Sequence, residues 1–224
     1  MAAVQIRKYC DDDAETVKEL FSLGMSEHVP SSFVHLLKQP LTQMVLMCTF
    51  CALLTSSKSF LLPILTVTLL LAAARQLVVY QFNSYIEMSY KQDLNTIDET
   101  YMKGEDSCFW VAEKEGQVVG MVACLPNQNV PECLELKRLS VRRSHRGRGV
   151  AKALCRKVAD FTRERGCPAV LLYTSVVQTD AQKLYEHMGY DKVREFVVPD
   201  VLAKLMNFSL FEYRLDLQKD KKGN

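Results

Sequence analysis

Polar and apolar positions alternate along Val4-Gln-Ile-Arg-Lys-Tyr9, which predicts a short strand. Asp11-Asp-Asp13 then offers N-caps for a helix with apolar residues at Val17, Leu20, Phe21 and Met25. Beyond that helix the pattern changes, because between Leu41 and Tyr80 only Lys58 and Arg75 are charged. As a helix, Phe60–Tyr80 would reach about 31 Å, close to the roughly 30 Å of a bilayer's hydrocarbon core. Pro63 falls in its first turn, where a missing N–H costs little, and Arg75 lies near its end, within snorkelling reach of the interface. The preceding run, Leu41–Leu54, would reach only about 21 Å, which is short for a span. Thr55-Ser-Ser-Lys-Ser59 divides the two runs as a polar turn. A helical hairpin dipping into or across one bilayer is the simplest arrangement. The other reading, two deeply buried helices of a soluble domain, needs an unusually large core to cover both.

After the hairpin, Tyr90–Met102 reads as a polar-faced helix, and Cys108–Ala112 and Gln117–Ala123 read as two strands joined at Glu115-Gly116. Leu134–Val141 alternates as a further strand. Gly149–Arg165 carries apolar residues at helical spacing (Val150, Leu154, Val158, Phe161), and Ala169–Tyr173 is an almost wholly apolar strand. Strand, helix and buried strand make a βαβ crossover. Ala181–Met188 forms a short helix with Gly189 as its left-handed C-terminal residue. Lys192–Val198 and Phe208–Leu217 are strand-like, and Lys219–Asn224 is a charged tail.

Composition adds two points. With 224 residues, 48% hydrophobic and a formal charge of +2, the chain can bury a core without cross-links, so its eight cysteines need not form disulfides. Cys48 and Cys51 have CxxC spacing but lie in the apolar run with no second pair and no nearby histidine, so no metal site is assigned to them. The first eight residues carry charge where a secretory signal needs an apolar stretch, so no cleaved signal peptide is expected.

The small net charge conceals an asymmetry: Leu134–Gly166 holds eleven Lys/Arg and three acids. An anion is expected to meet that stretch. At its centre a strand runs through Arg142-Arg-Ser-His-Arg146-Gly147-Arg148-Gly149-Val150-Ala151 directly into a helix. Glycines at a helix start let several backbone N–H groups converge on one spot, and the helix dipole adds to them, which suits a pyrophosphate. The same residues also fit a solvated basic helix start or a contact to a nucleic-acid phosphate.

Arg146-x-x-Gly149-x-Ala151 resembles the acetyl-coenzyme A signature, R/Q-x-x-G-x-G/A, of the GCN5-related N-acetyltransferase (GNAT) superfamily. Its surroundings resemble that family too: Leu171-Leu-Tyr-Thr174 is followed by Gln178-x-x-Ala181-x-x-Leu184-Tyr185-x-x-Met188-Gly189-Tyr190, similar to the family's next strand and helix. Ser107–Glu113, Val118–Val122, Gly149–Leu154 and the apolar insertion resemble the camello or N-acetyltransferase-8-like group, whose members are mostly bound to the endoplasmic reticulum membrane. Known relatives in that group acetylate cysteine S-conjugates, aspartate or protein lysines. The resemblance implies an α/β (α+β) fold with a splayed, mixed central sheet flanked by helices and interrupted by the hairpin.

It further implies acetyl-CoA as cosubstrate and no metal. Leu139, Ser140 and Val141 would face pantetheine, and Arg146, Gly147, Arg148, Gly149, Val150 and Ala151 would hold the phosphates. Gln178 stands where many relatives carry an asparagine that touches the cofactor. Acetyl transfer needs a neutral amine, an N–H for the oxyanion and a proton for the thiolate. Val141 or a neighbour would supply the N–H. Tyr185, at the family's tyrosine position, would supply the proton. Glu135 and Glu113 are the candidate bases, and Lys137 and Arg138 could pair with an acceptor carboxylate or remain exposed charges.

The expected division is residues 1–39 as the first strand and helix, 40–82 as the inserted hairpin, 83–218 as the rest of the acetyltransferase domain and 219–224 as tail. If Val4–Tyr9 joins the later strands, both ends of the hairpin lie on one side of the membrane. The expected enzyme faces the cytosol from the endoplasmic reticulum, with the bilayer and a small-molecule or protein amine as partners and no oligomeric state assigned. Its first-choice acceptor is the α-amine of an amino-acid derivative such as a cysteine S-conjugate. Protein lysine, including histone lysine, aspartate, and a noncatalytic CoA-binding adaptor are the alternatives. Nucleic acid ranks last as a partner, since the basic turn already has an anion to explain it.

Overall fold

The computed structural model describes residues 4–198, 203–204 and 206–217. Its seven strands are β1 (Gln5–Lys8), β2 (Cys108–Lys114), β3 (Gln117–Pro126), β4 (Leu134–Val141), β5 (Ala169–Ser175), β6 (Asp191–Val197) and β7 (Ser209–Asp216). They form one sheet in the order β1-β2-β3-β4-β5-β7-β6. Only β4 and β5 run parallel; the other neighbours are antiparallel. Each predicted strand is present. The β2–β3 turn uses Glu115 and Gly116, both at positive φ (53° and 77°), the requirement of a two-residue hairpin turn. The expected tail, Lys219–Asn224, lies outside the described residues.

The helices are α1 (Ala14–Ser26), α2 (Val29–Leu37), α3 (Pro40–Ser57), α4 (Leu61–Ser89), α5 (Val150–Glu164) and α6 (Thr179–His187). On one face of the sheet, Val150, Leu154, Val158 and Phe161 of α5 pack with Trp110, Val122, Leu136 and Leu172. On the other, Val17, Leu20 and Phe21 of α1 and Ile86 of α4 cover Phe109, Val111, Met121 and Ala123. The crossover β4–α5–β5 is thus the predicted βαβ unit.

Four features correct the sequence reading. Helix α2 forms across a stretch to which no element had been assigned. α3 is longer than the apolar run suggested: its 18 residues make about 27 Å of helix rather than 21 Å. Thr55 donates to the Cys51 and Ala52 carbonyls and Ser57 to Leu53, so hydroxyl groups expected in a turn are satisfied inside the helix. The turn itself narrows to Lys58–Phe60, with Lys58 left-handed at φ 51°. Finally, α4 continues without a break across residue 82 into wide helical turns at Tyr90–Leu94 and Asp98–Met102. That segment is not simply polar-faced, because Leu94, Ile97 and Tyr101 are buried.

Helices α3 and α4 are each long and apolar enough to cross a membrane, and the 18-residue apolar stretch of α3 is wholly unburied. Met47, Leu61 and Leu69 are among their strongly exposed side chains, as is Phe60 in the turn between them. The domain grips α4 through Ala74 and Val78, the latter buried with Leu36 of α2 and Met206.

Strand β4 carries the irregularity on which the site depends. Met121 pairs with Ser140 but Ala123 with Lys137, so one extra residue is accommodated in β4, and Arg138 adopts φ 57°. The bulge reverses side-chain alternation. Leu134 and Leu136 before it and Leu139 and Val141 after it all belong to the α5-side core, whereas a regular strand would send the second pair to the opposite face. Pairing with β5 stops at Leu136 and Leu172, just before the bulge.

Candidate active site

Where β4 and β5 separate, the edges of residues 137–141 and 173–175 face one another without ladder pairing. The Arg142 N–H donates to Val119 O on the β3 side (2.8 Å). Alternation along a strand therefore turns the Val141 N–H to the opposite edge, into the opening. On the α5 side, Tyr185 is buried in the same cluster as Leu139, Val141 and Val150, with the rings of Tyr190 and Tyr213 at 5.7 and 6.0 Å. Burial pushes its phenol far above the ordinary tyrosine value, so the side chain stays protonated at neutral pH.

The turn from β4 into α5 is open. Gly147 and Gly149 adopt φ 73° and 81°, and a Cβ built at either would meet no atom within 4 Å. Gly149 is the N-cap of α5, with no side-chain cap. Among the described residues, no hydrogen bond engages the amides of residues 147–152, while the next amide, of Ala153, bonds to Gly149 O at 3.0 Å. A left-handed N-cap with a run of unengaged amides at the positive end of a 15-residue helix fits an anionic diphosphate. Arg146 ties this turn to its neighbours from the exposed side: its Nε donates to Val141 O (2.9 Å) and Nη1 to Glu27 of α1's C-terminal end (2.6 Å). Arg148 remains exposed.

Other expected residues lie differently. Gln178 closes the β5–α6 turn, its Oε1 accepting from Ser175 N (2.9 Å), Ser175 Oγ and Thr174 Oγ1 (3.1 Å each). Glu113 sits two strands from the opening, held by Arg7 Nε at 2.7 Å, while the same guanidinium grips Asp13. Arg138 is not an exposed charge. It is buried on the α1 and α4 side in an ion pair with Asp93.

Glu135 borders the opening on the face away from Tyr185. Burial raises its carboxyl above the usual carboxylate range, although Lys137 at 3.8 Å and a hydrogen bond from Asn127 work against that. Sequence reasoning missed Asn127. Its Nδ2 donates to Glu135 Oε2 (3.0 Å) and reaches Tyr173 Oη (3.4 Å), and its Oδ1 accepts from the Asn129 and Val130 amides. Nothing in the sequence pairs this loop residue with a strand residue, although Asn-x-Asn before a proline does signal a side-chain-capped turn.

Comparison with known proteins agrees with this geometry. Residues 74–190 match the family model described as the acetyltransferase (GNAT) family. The chain is 38% identical over 216 residues to N-acetyltransferase 8 of Rattus norvegicus, covering 95% of this chain and 97% of that protein. It is 34% identical over 218 residues to the Xenopus tropicalis protein described as "Probable N-acetyltransferase camello", covering 97% and 100%. Among solved structures, a GNAT-family acetyltransferase from Staphylococcus aureus Mu50 shares the fold, with a TM-score of 0.57 at 18% identity over 96% of this chain and 100% of that one.

Proposed function

The chain belongs to the GNAT family and is an acetyl-CoA-dependent N-acetyltransferase, and we propose that it works at a membrane, as an endoplasmic reticulum enzyme whose catalytic domain faces the cytosol. In this reading, residues 40–82 form the hairpin between the first strand and helix (1–39) and the remainder of the domain (83–218), and its apolar part up to the domain's grip on α4 inserts in the bilayer. The acceptor is the α-amine of an amino-acid derivative with an apolar substituent, such as a cysteine S-conjugate. The observation that carries the proposal is the adjacency in one chain of an open amide cradle at Gly149 and a pair of apolar helices that stay exposed over most of their length.

Bound acetyl-CoA supplies an activated acyl group and a thiol leaving group. The residues that would hold it are the amides of 147–152 with Arg148 for the phosphates, and the unpaired edge of Leu139, Ser140 and Val141 for the extended arm. Gln178 retains its Nε2 for a further contact, its oxygen being committed to the turn. Val141 N–H, pointing into the opening, is the donor for the acyl oxygen. Glu135, directly or through water, takes a proton from the attacking amine, and Asn127 holds its carboxylate toward the opening. Tyr185, protonated and on the other face, delivers a proton to the departing sulfur.

The deciding experiment is acetyl-CoA turnover by the full-length protein in membranes, with S-benzylcysteine, aspartate, free lysine and histone peptides offered side by side. The expected order places S-benzylcysteine first. Preference for a histone peptide or for aspartate would replace the acceptor, and coenzyme A binding with no transfer to any amine would leave only an adaptor.

A further inference from the structure

The bulge in β4 is held from a distance. Arg138 donates through Nε to Asp93 Oδ2 (2.9 Å), through Nη2 to Asp93 Oδ1 (2.7 Å) and through Nη1 to Ser89 Oγ (3.0 Å). Tyr101 donates its hydroxyl to the same carboxylate, and Arg138 lies over the Phe21 ring, 4.9 Å from its centroid. The Arg138 and Asp93 side chains are only 5% and 7% exposed. Ser89 ends α4 and Asp93 lies in the wide helical turn that continues it, so both belong to the rod whose other end is the apolar span.

Two physical points make this more than packing. A buried ion pair seldom adds net stability over apolar residues of the same volume, and its best-attested use is to fix one arrangement among several. The arrangement fixed here is an unfavourable one, since Arg138 is a non-glycine residue at φ 57°. The bulge at Arg138 begins immediately after the last β4–β5 pair and directs Leu139–Val141 along the opening.

We propose that Ser89 and Asp93 act through Arg138 as positioning residues, so that the helix emerging from the apolar span sets how far β4 stands from β5. What the opening receives rests on the function proposed above; the clamp is an additional claim about how its width is fixed.

The test uses full-length protein in nanodiscs, with Ser89→Ala, Asp93→Asn and Arg138→Lys compared with the parent for thermal unfolding, coenzyme A affinity and the KM values of both substrates. Loss of a hydrogen bond to a charged group corresponds to about a ten-fold change. Ser89→Ala should lower the unfolding temperature by a few degrees while the variant stays folded, and should raise the acetyl-CoA KM by up to about ten-fold, with the acceptor KM within about two-fold of the parent. Arg138→Lys, which keeps the charge but not the fork that spans both partners, should give the same split. If Asp93→Asn and Arg138→Lys do not fold, Ser89→Ala alone decides, because it removes only one hydroxyl. Folded variants with an unchanged acetyl-CoA KM would overturn the clamp while leaving the opening as the cofactor site. A parent protein that binds no coenzyme A would overturn both.

Discussion

In the mechanism proposed above, Glu135 and Tyr185 serve one opening from opposite faces of the sheet, and burial moves both toward the protonated form. For Tyr185 that preserves a proton donor. For Glu135 it sets a limit, because a base works only when ionised and activity must fall as pH drops through its raised value. Tyr185→Phe should lower kcat by about 100-fold, the lower end of the range for a general acid, while coenzyme A affinity stays near the parent's. The parent's pH–rate profile should have an acidic limb above the ordinary carboxylate range, and Glu135→Gln should abolish that limb along with most of the rate. Steady-state kinetics across pH checks both, and full activity in Tyr185→Phe would remove its acid role. The helix that carries Tyr185 was legible because it has the family's spacing. Arg138 was not legible: the pattern of Leu134–Val141 reads as a regularly alternating strand with no sign of the bulge, and the partner that buries the charge lies 45 residues earlier. Glu113 and Lys137 show the same limit, since a strand pattern says which face a charge takes and not which opposite charge is waiting there.

At the scale of elements, α5 was the most completely readable, because its glycine, its basic turn and its apolar stripe all describe one helix start. Gly149 is central to it. The 81° φ is strained for any side chain, and a β-branched residue there would also place atoms in the space before the amides of residues 147–152. Gly149→Val should lower coenzyme A affinity by at least about 100-fold in titration calorimetry, at a cost in stability of about 1–2 kcal/mol, comparable to other strained left-handed residues. Affinity equal to the parent's would contradict the cradle. The hairpin elements were read less well for a definite reason. Hydropathy cannot see that Thr55 and Ser57 satisfy their hydroxyls against the preceding turn, so α3 was read too short. Nor does it register that α4 keeps its hydrogen bonding from the apolar span into the domain, so a boundary drawn at residue 82 falls inside a continuous helix.

For the molecule as a whole, the topology restricts how a bilayer can meet it. β1 precedes the hairpin and pairs with β2, which follows it, so both roots of the hairpin are on one side. The tip, Lys58–Phe60, is then the part farthest from the sheet along two helices of about 27 and 30 Å, the second measured to Tyr80. Those lengths match a hydrocarbon core, which favours crossing over a shallow re-entrant loop. In the membrane reading proposed above, Arg75, near the domain end of α4's apolar part, would reach the interface from which the domain hangs. If that interface is cytosolic, two markers must disagree. Asn207, exposed on the domain within an Asn-Phe-Ser sequon, should carry no glycan, so glycosidase should leave the protein's mobility unchanged. In sealed microsomes, with the exposed native cysteines Cys10, Cys48 and Cys51 changed to serine, a cysteine introduced by Lys58→Cys at the tip should resist a membrane-impermeant maleimide until the vesicles are permeabilised. A glycan at Asn207 would invert the orientation. Labelling of the tip in intact vesicles, with Asn207 unmodified, would instead mean that the hairpin lies along or turns back within the membrane, bringing the apolar helices closer to the plane of the site.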